Sequence, residues 1–238
     1  MHENLNKIKS LEGSPKIIKN FLNSNEIEKF LKLYSELPIT VNNLKQKVIK
    51  KRWISGFDET LEKILRDRIK LEIGDFEMDN INEKNGTECL GLFQESFNPI
   101  GLHVDGGFNL KDIIYKQTLL PLSNFGETVI FKNRYYGPST SFTNKESDLK
   151  DNSPENFKKG KNIRSSDHLN IYGDKKFNID DYKKYLKHED INNLNGLEVE
   201  LVYKWCLGDL FIFDRTHLHC SSCNIDEKKI GLATFTKK

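Results

Sequence analysis

The stretch GLHVDGG at residues 101–107 places His103 and Asp105 one residue apart between turn-prone glycines. In a β-strand the side chains of residues i and i+2 leave the same face, so the imidazole and the carboxylate would point into one space. A second strand-like run, GDLFIFDRTHLHCSSCN at residues 208–224, supplies two further histidines. The two stretches together predict a metal site built from distant parts of the chain.

The ligand set indicates which metal chemistry to expect. One downstream histidine would join His103 and Asp105 and leave three coordination positions free, which is the arrangement in non-haem Fe(II) oxygenases. His217 and His219 are both candidates for the distal ligand, because residues two apart share a face of a regular strand. The other histidine is expected to form hydrogen bonds within the core.

Length and composition fit a single globular domain with a full-sized core. The chain has 238 residues, and 37 Lys and Arg nearly balance 35 Asp and Glu, so the net charge of +2 gives no general attraction to nucleic acid or to an anionic membrane. The first residues lack the apolar core of a signal peptide, and no later stretch is apolar enough to span a membrane. The sequence therefore predicts a cytoplasmic protein and leaves its oligomeric state open.

From residue 89 onward, short runs rich in aromatic and β-branched residues predict antiparallel β-structure. Eight runs can be counted, as in a jelly roll, at residues 89–96, 100–105, 115–121, 127–132, 198–206, 209–214, 217–221 and 229–236. Residues 133–197 interrupt this series with polar sequence and a short helical pattern at 179–190. They predict a long insertion, which could cover the barrel mouth or be a mobile surface excursion.

The first 88 residues predict a supporting layer rather than chemistry. A helical pattern spans residues 27–34, with Asn23 or Ser24 as its cap, and a second covers residues 58–72. The run around Trp53 predicts an outer strand between them. We therefore expect one domain over 1–238, with helical support at 1–88, a jelly-roll core at 89–132 and 198–238, and an insertion or lid at 133–197.

Three pieces of sequence resemble the Fe(II)- and 2-oxoglutarate-dependent oxygenases: GLHVDGG, NFGETVIFK at 124–132, and GDLFIFDRTHLHCSSCN followed by IDEKKIGLATF. The last piece is most similar to the phytanoyl-CoA-hydroxylase-like branch, in which a Gly-Asp strand leads to a histidine followed by Ser and Asn. The resemblance covers residues 89–236 without the insertion and implies a double-stranded β-helix, which is a cupin-like jelly roll. On this alignment the distal ligand is His219, with Ser221 and Asn224 behind it.

The resemblance also implies a cation that holds the far carboxylate of 2-oxoglutarate, on the strand after the distal histidine. Lys229 has this position, whereas Lys228 has the opposite strand parity and is expected to face solvent. Many members of the branch carry arginine here, and a lysine would act as a point charge instead of a bidentate fork. Further candidate contacts to the co-substrate, which could equally be ordinary strand positions, are Gln94, Gln117, Thr118 and Ser221.

The activity that the resemblance implies is hydroxylation of a small metabolite with Fe(II), 2-oxoglutarate and O2, with release of succinate and CO2. His103, Asp105 and His219 would be the catalytic metal ligands, and a carboxylate among them leaves no position for a halide. Alternatives are a protein or peptide hydroxylase, and a cupin-like binding protein or isomerase without oxygen chemistry. Nucleic acid is not expected as a partner, because the basic run at 158–161 has no interleaved aromatic residues.

The four cysteines are too few and too scattered for a disulfide-stapled fold. Cys220 and Cys223 form a C-x-x-C beside the two downstream histidines, which could hold zinc. Cys89 and Cys206 are isolated and supply no second pair. Neither a structural zinc nor a redox dithiol is therefore the expected role of this motif.

Overall fold

Two β-sheets pack face to face in a computed structural model of the chain, and helices cover the outer face of the larger sheet. The structure describes residues 2–79, 87–105, 112–137, 140–143, 161–163, 175–225 and 227–238. The protein is mainly β with flanking helices, and its core is the expected jelly roll.

The N-terminal part alternates helices with short strands. Its elements are α1 (His2–Ser10), β1 (Lys16–Ile18), α2 (Ser24–Glu36), β2 (Val41–Asn43), β3 (Val48–Ile54), α3 (Glu59–Ile73) and β4 (Glu77–Met78). The core and the insertion follow with β5 (Cys89–Ser96), β6 (His103–Val104), β7 (Ile114–Pro121), β8 (Glu127–Arg134), β9 (Thr140–Thr143), β10 (Lys161–Ile163), α4 (Ile179–Tyr185), a 3-10 turn (Ile191–Asn193), β11 (Val199–Lys204), β12 (Leu210–Asp214), β13 (His217–Ser221) and β14 (Lys229–Lys237).

The larger sheet has the strand order β1-β12-β7-β14-β5-β3-β2, and β4 pairs with β14 beside this path. Its outer face is covered by α2 and α3, whose apolar stripes bury Phe30, Leu65 and Ile69. Trp53 of β3 is fully buried between the ring of Phe30 and the strand beneath. The helices therefore support the sheet and leave its inner face to the site.

Side-chain caps begin both of these helices. Asn23 accepts a hydrogen bond from the backbone N–H of Glu26, and the Glu26 carboxylate accepts one from the N–H of Asn23, which is a capping box. Asp58 caps α3 by accepting a hydrogen bond from the backbone N–H of Leu61, without the reciprocal bond of a capping box. Of the two caps that the sequence offers for α2, the structure uses Asn23, and Asp58 is a cap that the sequence analysis did not predict.

The smaller sheet has the order β10-β9-β6-β13-β8-β11. Its outer face is buried by the end of the insertion, where Phe177, Leu186 and Leu194 pack against Val129 and Leu218. The described end of the insertion therefore covers the back of this sheet, which is a different location from the barrel mouth considered in the sequence analysis.

An aromatic cluster fills the space between the sheets. It contains Phe211 and Phe213 from the larger sheet, Tyr203 and Ile130 from the smaller sheet, and Trp205, which follows β11. The centroids of the Phe211 and Phe213 rings lie 5.1 Å apart, so these residues pack the core as their alternation in the sequence indicates.

Three elements differ from the sequence-based expectation. The run at 100–105 forms a strand only at His103–Val104, since glycines flank it and give little support to an extended ladder. Residues His2–Ser10 form a helix that the polar composition does not predict, and it is held by the packing of Ile8 on Ile114. The apolar residues Ile17 and Ile18 after this helix lie in β1, which pairs with the edge of β12.

Candidate active site

Strand pairing brings the two distant histidines together. His103 of β6 and His219 of β13 are direct partners in the antiparallel ladder, so both side chains leave the same face, toward the barrel interior. Their ring centroids lie 4.2 Å apart, and both residues are buried. Two residues separated by more than a hundred positions in the sequence thus share one wall of the barrel.

Asp105 completes a three-residue cluster. Its Oδ2 atom lies 3.5 Å from His103 Nε2 and 3.6 Å from His219 Nε2. One ligand atom from each residue can be chosen so that all three lie within 4.8 Å of one another. Among the described residues this is the one group of three or more His, Cys, Asp or Glu side chains with such spacing.

The hydrogen bonds of both histidines favour metal binding through Nε2. His103 Nδ1 lies 2.7 Å from the Gly101 carbonyl, and His219 Nδ1 lies 3.0 Å from the His217 carbonyl. A ring nitrogen that faces a carbonyl must carry the proton, so the Nε2 lone pair of each ring is left for a cation. The donor set and its tautomers fit Fe(II) in the arrangement of two histidines and one carboxylate.

Two side chains fix Asp105 from behind. Gln117 Nε2 donates to Asp105 Oδ2 at 3.3 Å, and Arg215 Nε lies 3.4 Å from the Asp105 carbonyl oxygen. Arg215 is completely buried and also pairs with Asp79 at 2.5 Å. Sequence reasoning missed Arg215 and Asp79, because a salt bridge between residues so far apart leaves no local pattern.

His217 lies outside the cluster, and its ring nitrogens are engaged elsewhere. Nδ1 is 2.6 Å from Arg134 Nη1 and 3.1 Å from the backbone N–H of Asp214, and Nε2 is 3.2 Å from Glu200 Oε2. Burial and then the Arg134 charge lower the pKa of His217 to about 2, so the ring is neutral. The strand is irregular between His217 and His219, which is why the two rings do not meet the same partners.

Lys229 is a buried lysine on the inner face of β14. It is only 3% exposed, and its Nζ donates to Ser221 Oγ at 2.5 Å. Burial lowers the pKa of Lys229 to about 8, and in the described part of the chain no carboxylate forms an ion pair with it. A buried ammonium group beside a hydroxyl, without a counter-ion, is suited to receive an anion.

The surroundings of Lys229 are shaped by aromatic and glycine residues. Its Nζ lies 5.1 Å from the centre of the Trp205 ring, which contributes a cation–π contact. Gly126 has φ +105°, and a Cβ there would stand 2.9 Å from Lys229 Cδ, so a larger residue would displace the lysine. Ser96 pairs directly with Lys229 and shares its face, and the buried Ser96 Oγ has no hydrogen-bond partner among the described residues. We call Lys229, Ser221, Ser96 and Trp205 the lysine pocket.

The remaining candidate contacts to the co-substrate lie on different faces of their strands. Lys228 is exposed, with Nζ 3.4 Å from Glu95, as its parity predicts. Gln94 is the ladder partner of Gly231, two residues from Lys229, and lies on the inner face. Thr118 pairs with Ile212 on the opposite face of β7, beneath the helices, so its predicted contact with the co-substrate does not fit the structure. Because side chains alternate along a strand, the adjacent residues Gln117 and Thr118 lie on different faces of β7.

The cysteine motif does not form a second site. Cys220 is buried in the core behind the smaller sheet, where burial raises the pKa of its thiol. Cys223 Sγ lies 3.9 Å from the Lys184 carbonyl, and Asn224 contacts Glu127 at the surface. All four cysteines are free thiols. The basic run at 158–161 and Arg164 lie, apart from the backbone of Lys161, outside the described residues.

Comparison with solved structures identifies the fold. HygX from Streptomyces hygroscopicus, solved with nickel and 2-oxoglutarate, matches with a TM-score of 0.50 and 13% identity over 100% of this chain and 86% of that chain. The carbocyclase SnoK from nogalamycin biosynthesis, described as non-haem and α-ketoglutarate-dependent, matches with a TM-score of 0.51 and 11% identity over 98% and 82%. The epimerase SnoN, in complex with Fe3+, α-ketoglutarate and nogalamycin RO, matches with a TM-score of 0.50 and 9% identity over 99% and 83%.

These solved proteins share the architecture of this chain at very low sequence identity, so the fold is that of 2-oxoglutarate/Fe(II) oxygenases. No protein-family model matches the sequence, and no curated protein gives a significant match. In the part of the chain that the structure describes, no helix is long and apolar enough to cross a membrane.

Proposed function

We propose that the protein is an Fe(II)- and 2-oxoglutarate-dependent dioxygenase that hydroxylates a small molecule. The observation that carries the proposal is the lysine pocket on the same inner barrel surface as the histidine and carboxylate cluster. Ser221, which binds Lys229, is two residues from His219 and shares its face. A dicarboxylate that reaches the metal ligands with one end could therefore meet Lys229 with the other.

In this proposal His103, Asp105 and His219 hold the metal through Nε2, Oδ2 and Nε2. When bound, Fe(II) with 2-oxoglutarate and O2 supplies the oxidising chemistry, with succinate and CO2 as products. Gln117 and Arg215 orient the aspartate, and Lys229 and Ser221 bind the far carboxylate. The lysine pocket is buried, so these hydrogen bonds and charges act with little competition from water.

Two other activities would use the same barrel. A cupin-like binding protein or isomerase would need no buried cation for a dicarboxylate, so Lys229 favours the oxygenase. A peptide hydroxylase would use the same metal ligands and the same lysine pocket and would differ in its substrate. We also propose that residues 1–238 act as one domain of the phytanoyl-CoA-hydroxylase-like branch, on the strength of the Gly-Asp strand, His219, Ser221 and Asn224.

The test measures succinate after incubation of the purified protein with Fe(II), 2-oxoglutarate and oxygen, and 2-oxoglutarate binding without oxygen. We expect succinate from the wild type and none above background from His103→Ala or Asp105→Ala. Lys229→Met should abolish 2-oxoglutarate binding, while the matched surface variant Lys228→Met should bind normally. If the metal-loaded wild type neither binds 2-oxoglutarate nor forms succinate, the proposal is wrong.

A further inference from the structure

The insertion reaches the metal cluster through the carboxyl group of Glu189. This residue lies on the loop after α4, and its side chain is only 11% exposed. Glu189 Oε1 accepts a hydrogen bond from the backbone N–H of Leu102 at 2.5 Å. Leu102 immediately precedes His103 in the sequence. The bond therefore joins the described end of the insertion to β6, 87 positions earlier in the chain.

One peptide group connects Glu189 to His103. The N–H of Leu102 and the carbonyl of Gly101 belong to the same trans peptide unit, in which the two groups point in opposite directions. Glu189 accepts from the N–H, and His103 Nδ1 lies 2.7 Å from the carbonyl oxygen. Carboxyl group, peptide and imidazole thus form a continuous hydrogen-bonded relay, which ends at the ring whose Nε2 faces the cluster.

Both oxygens of Glu189 are held in place. Asn193 Nδ2 lies 3.4 Å from Oε2 and also donates to the carbonyl of Phe142 at 3.2 Å. The N–H of Phe142 in turn donates to the Leu102 carbonyl at 3.1 Å. Asn193 is buried, so these bonds form with little competition from water. The end of the insertion and β9 therefore hold the same backbone segment beside His103.

Gly101 leaves the space that the carboxyl group occupies. A Cβ at this position would stand 2.7 Å from Glu189 Oε1, which is closer than real Cβ contacts come. The φ of Gly101 is not positive, so the backbone itself would accept alanine. An alanine here would therefore push the carboxyl group away from the N–H of Leu102.

We propose that Glu189 is a positioning residue of the metal centre, which acts on His103 through the peptide group between Gly101 and Leu102. The relay holds the Gly101 carbonyl in the direction of Nδ1 and so sets the tautomer and the orientation of the imidazole. An acceptor at the N–H end also polarises the peptide, which makes its carbonyl a stronger acceptor and the ring a stronger ligand. The assignment rests on the proposed metal site and gives the insertion a role outside the barrel interior.

The experiment measures the affinity of the purified protein for Co(II) by competition with a chelator, without 2-oxoglutarate. We expect Glu189→Ala to weaken Co(II) binding about tenfold, which is the lower end of the effect of partners of metal ligands. Glu189→Gln keeps an oxygen acceptor for the Leu102 N–H and should recover most of the affinity. Asn178→Ala is the matched control, because it removes the cap of α4 in the same insertion. It should lower the urea midpoint without changing the Co(II) affinity.

A second pair of variants tests the geometry. Gly101→Ala should weaken Co(II) binding about as much as Glu189→Ala, because its Cβ displaces the carboxyl group. The double variant should bind about as tightly as either single variant, since both changes break the same relay. Additive losses would overturn the proposal, as would a Co(II) affinity of Glu189→Ala equal to that of the wild type.

NMR of the Zn(II)-loaded protein separates a positioning role from a structural one. In Glu189→Ala the proton on His103 Nδ1 should move upfield, because its acceptor is weaker. The proton on His219 Nδ1, which faces the His217 carbonyl, should not move. An unshifted His103 proton, or equal shifts of both protons, overturns the positioning role. If Glu189→Ala does not fold, the same comparison with Gly101→Ala decides.

Failure of the proposed function gives a different result. A wild type that binds no metal refutes the metal centre itself. Metal binding without succinate refutes the oxygenase function, while the effects of Glu189→Ala on the Co(II) affinity and on the His103 proton remain.

Discussion

Gln117 donates a hydrogen bond from Nε2 to Asp105 Oδ2 at 3.3 Å, and this oxygen is also the Asp105 atom nearest to both histidine Nε2 atoms. The amide therefore restrains the carboxylate in the orientation that faces His103 and His219. Partners of metal ligands often contribute 10–100-fold to metal affinity.

We predict that Gln117→Leu lowers Fe(II) or Co(II) affinity about 10–100-fold without unfolding the protein. Competition with a chelator measures the affinity. Thr118→Val is the control, because Thr118 lies on the opposite face of β7 and should leave the metal affinity unchanged. Equal metal affinity of Gln117→Leu and the wild type would contradict this role.

The two downstream histidines should respond differently to substitution. His219→Ala should abolish stoichiometric metal binding, since it removes a ligand. His217→Ala should keep one metal per chain but lower the free energy of unfolding by about 1–3 kcal/mol, because Arg134 and Glu200 lose a buried partner. Metal analysis after gel filtration and urea unfolding with chelator measure the two effects. Loss of the metal from His217→Ala, with His219→Ala still loaded, would reverse the assignment.

The affinity for 2-oxoglutarate should depend on pH through Lys229. The pKa of the free lysine is about 8, and the charged form binds the anion, so affinity is full below pH 8 and falls as the pH rises through this value. The groups that contact Lys229 are Ser221, Ser96 and Trp205, and none of them titrates near pH 8. Burial raises the pKa of the Cys220 thiol on the outer face of β13, so this thiol stays neutral near pH 8.

Above pH 8 the affinity should fall by up to about tenfold per pH unit until the pKa of the complex is reached. Calorimetry between pH 6.5 and 9.5 measures the affinity for 2-oxoglutarate below and above the Lys229 pKa of about 8. The affinity for 2-oxopentanoate, which has the same chain length without the second carboxylate, serves as the control for changes at the metal and should not show this fall. A parallel decrease for both ligands would exclude Lys229 as the cause.

Removing the charge of Lys229 should stabilise the protein while abolishing co-substrate binding. The folded-state pKa of about 8 lies below the usual lysine pKa of 10.5, so the unfolded chain binds the proton more tightly. Below pH 8 this costs roughly 3 kcal/mol at most, and the cost disappears as the pH rises to 10.5. Lys229→Met should therefore raise the free energy of unfolding at pH 7, by an amount on the order of 1–3 kcal/mol.

Urea unfolding at pH 7 without 2-oxoglutarate measures the change, and Lys228→Met is the exposed control, expected within about 0.5 kcal/mol of the wild type. A destabilised Lys229→Met would show that the ammonium group contributes more through Ser221 and Trp205 than it loses through burial.

Much of the barrel could be predicted from the sequence, because alternation of side chains is a local property. The same alternation predicted that Lys229 faces inward and Lys228 outward, as found. The alternation of side chains also places Gln117 and Thr118 on opposite faces of β7. Which of the two faces the barrel interior depends on the register of β7 against its neighbours, and the sequence does not give this register. Arg215 and Asp79 could not be predicted, since their importance arises from contacts between distant segments with no spacing rule.

One feature of the architecture bears on how the chain folds. β1 pairs with β12, so the first strand can pair only after a partner almost two hundred residues later has been made, and Lys229 follows later still in the sequence. Closing such large loops before any contact compensates their entropy makes folding slow. During synthesis on the ribosome, we expect the helices of the N-terminal part to form early, while the lysine pocket assembles only after the strand that carries Lys229 has emerged.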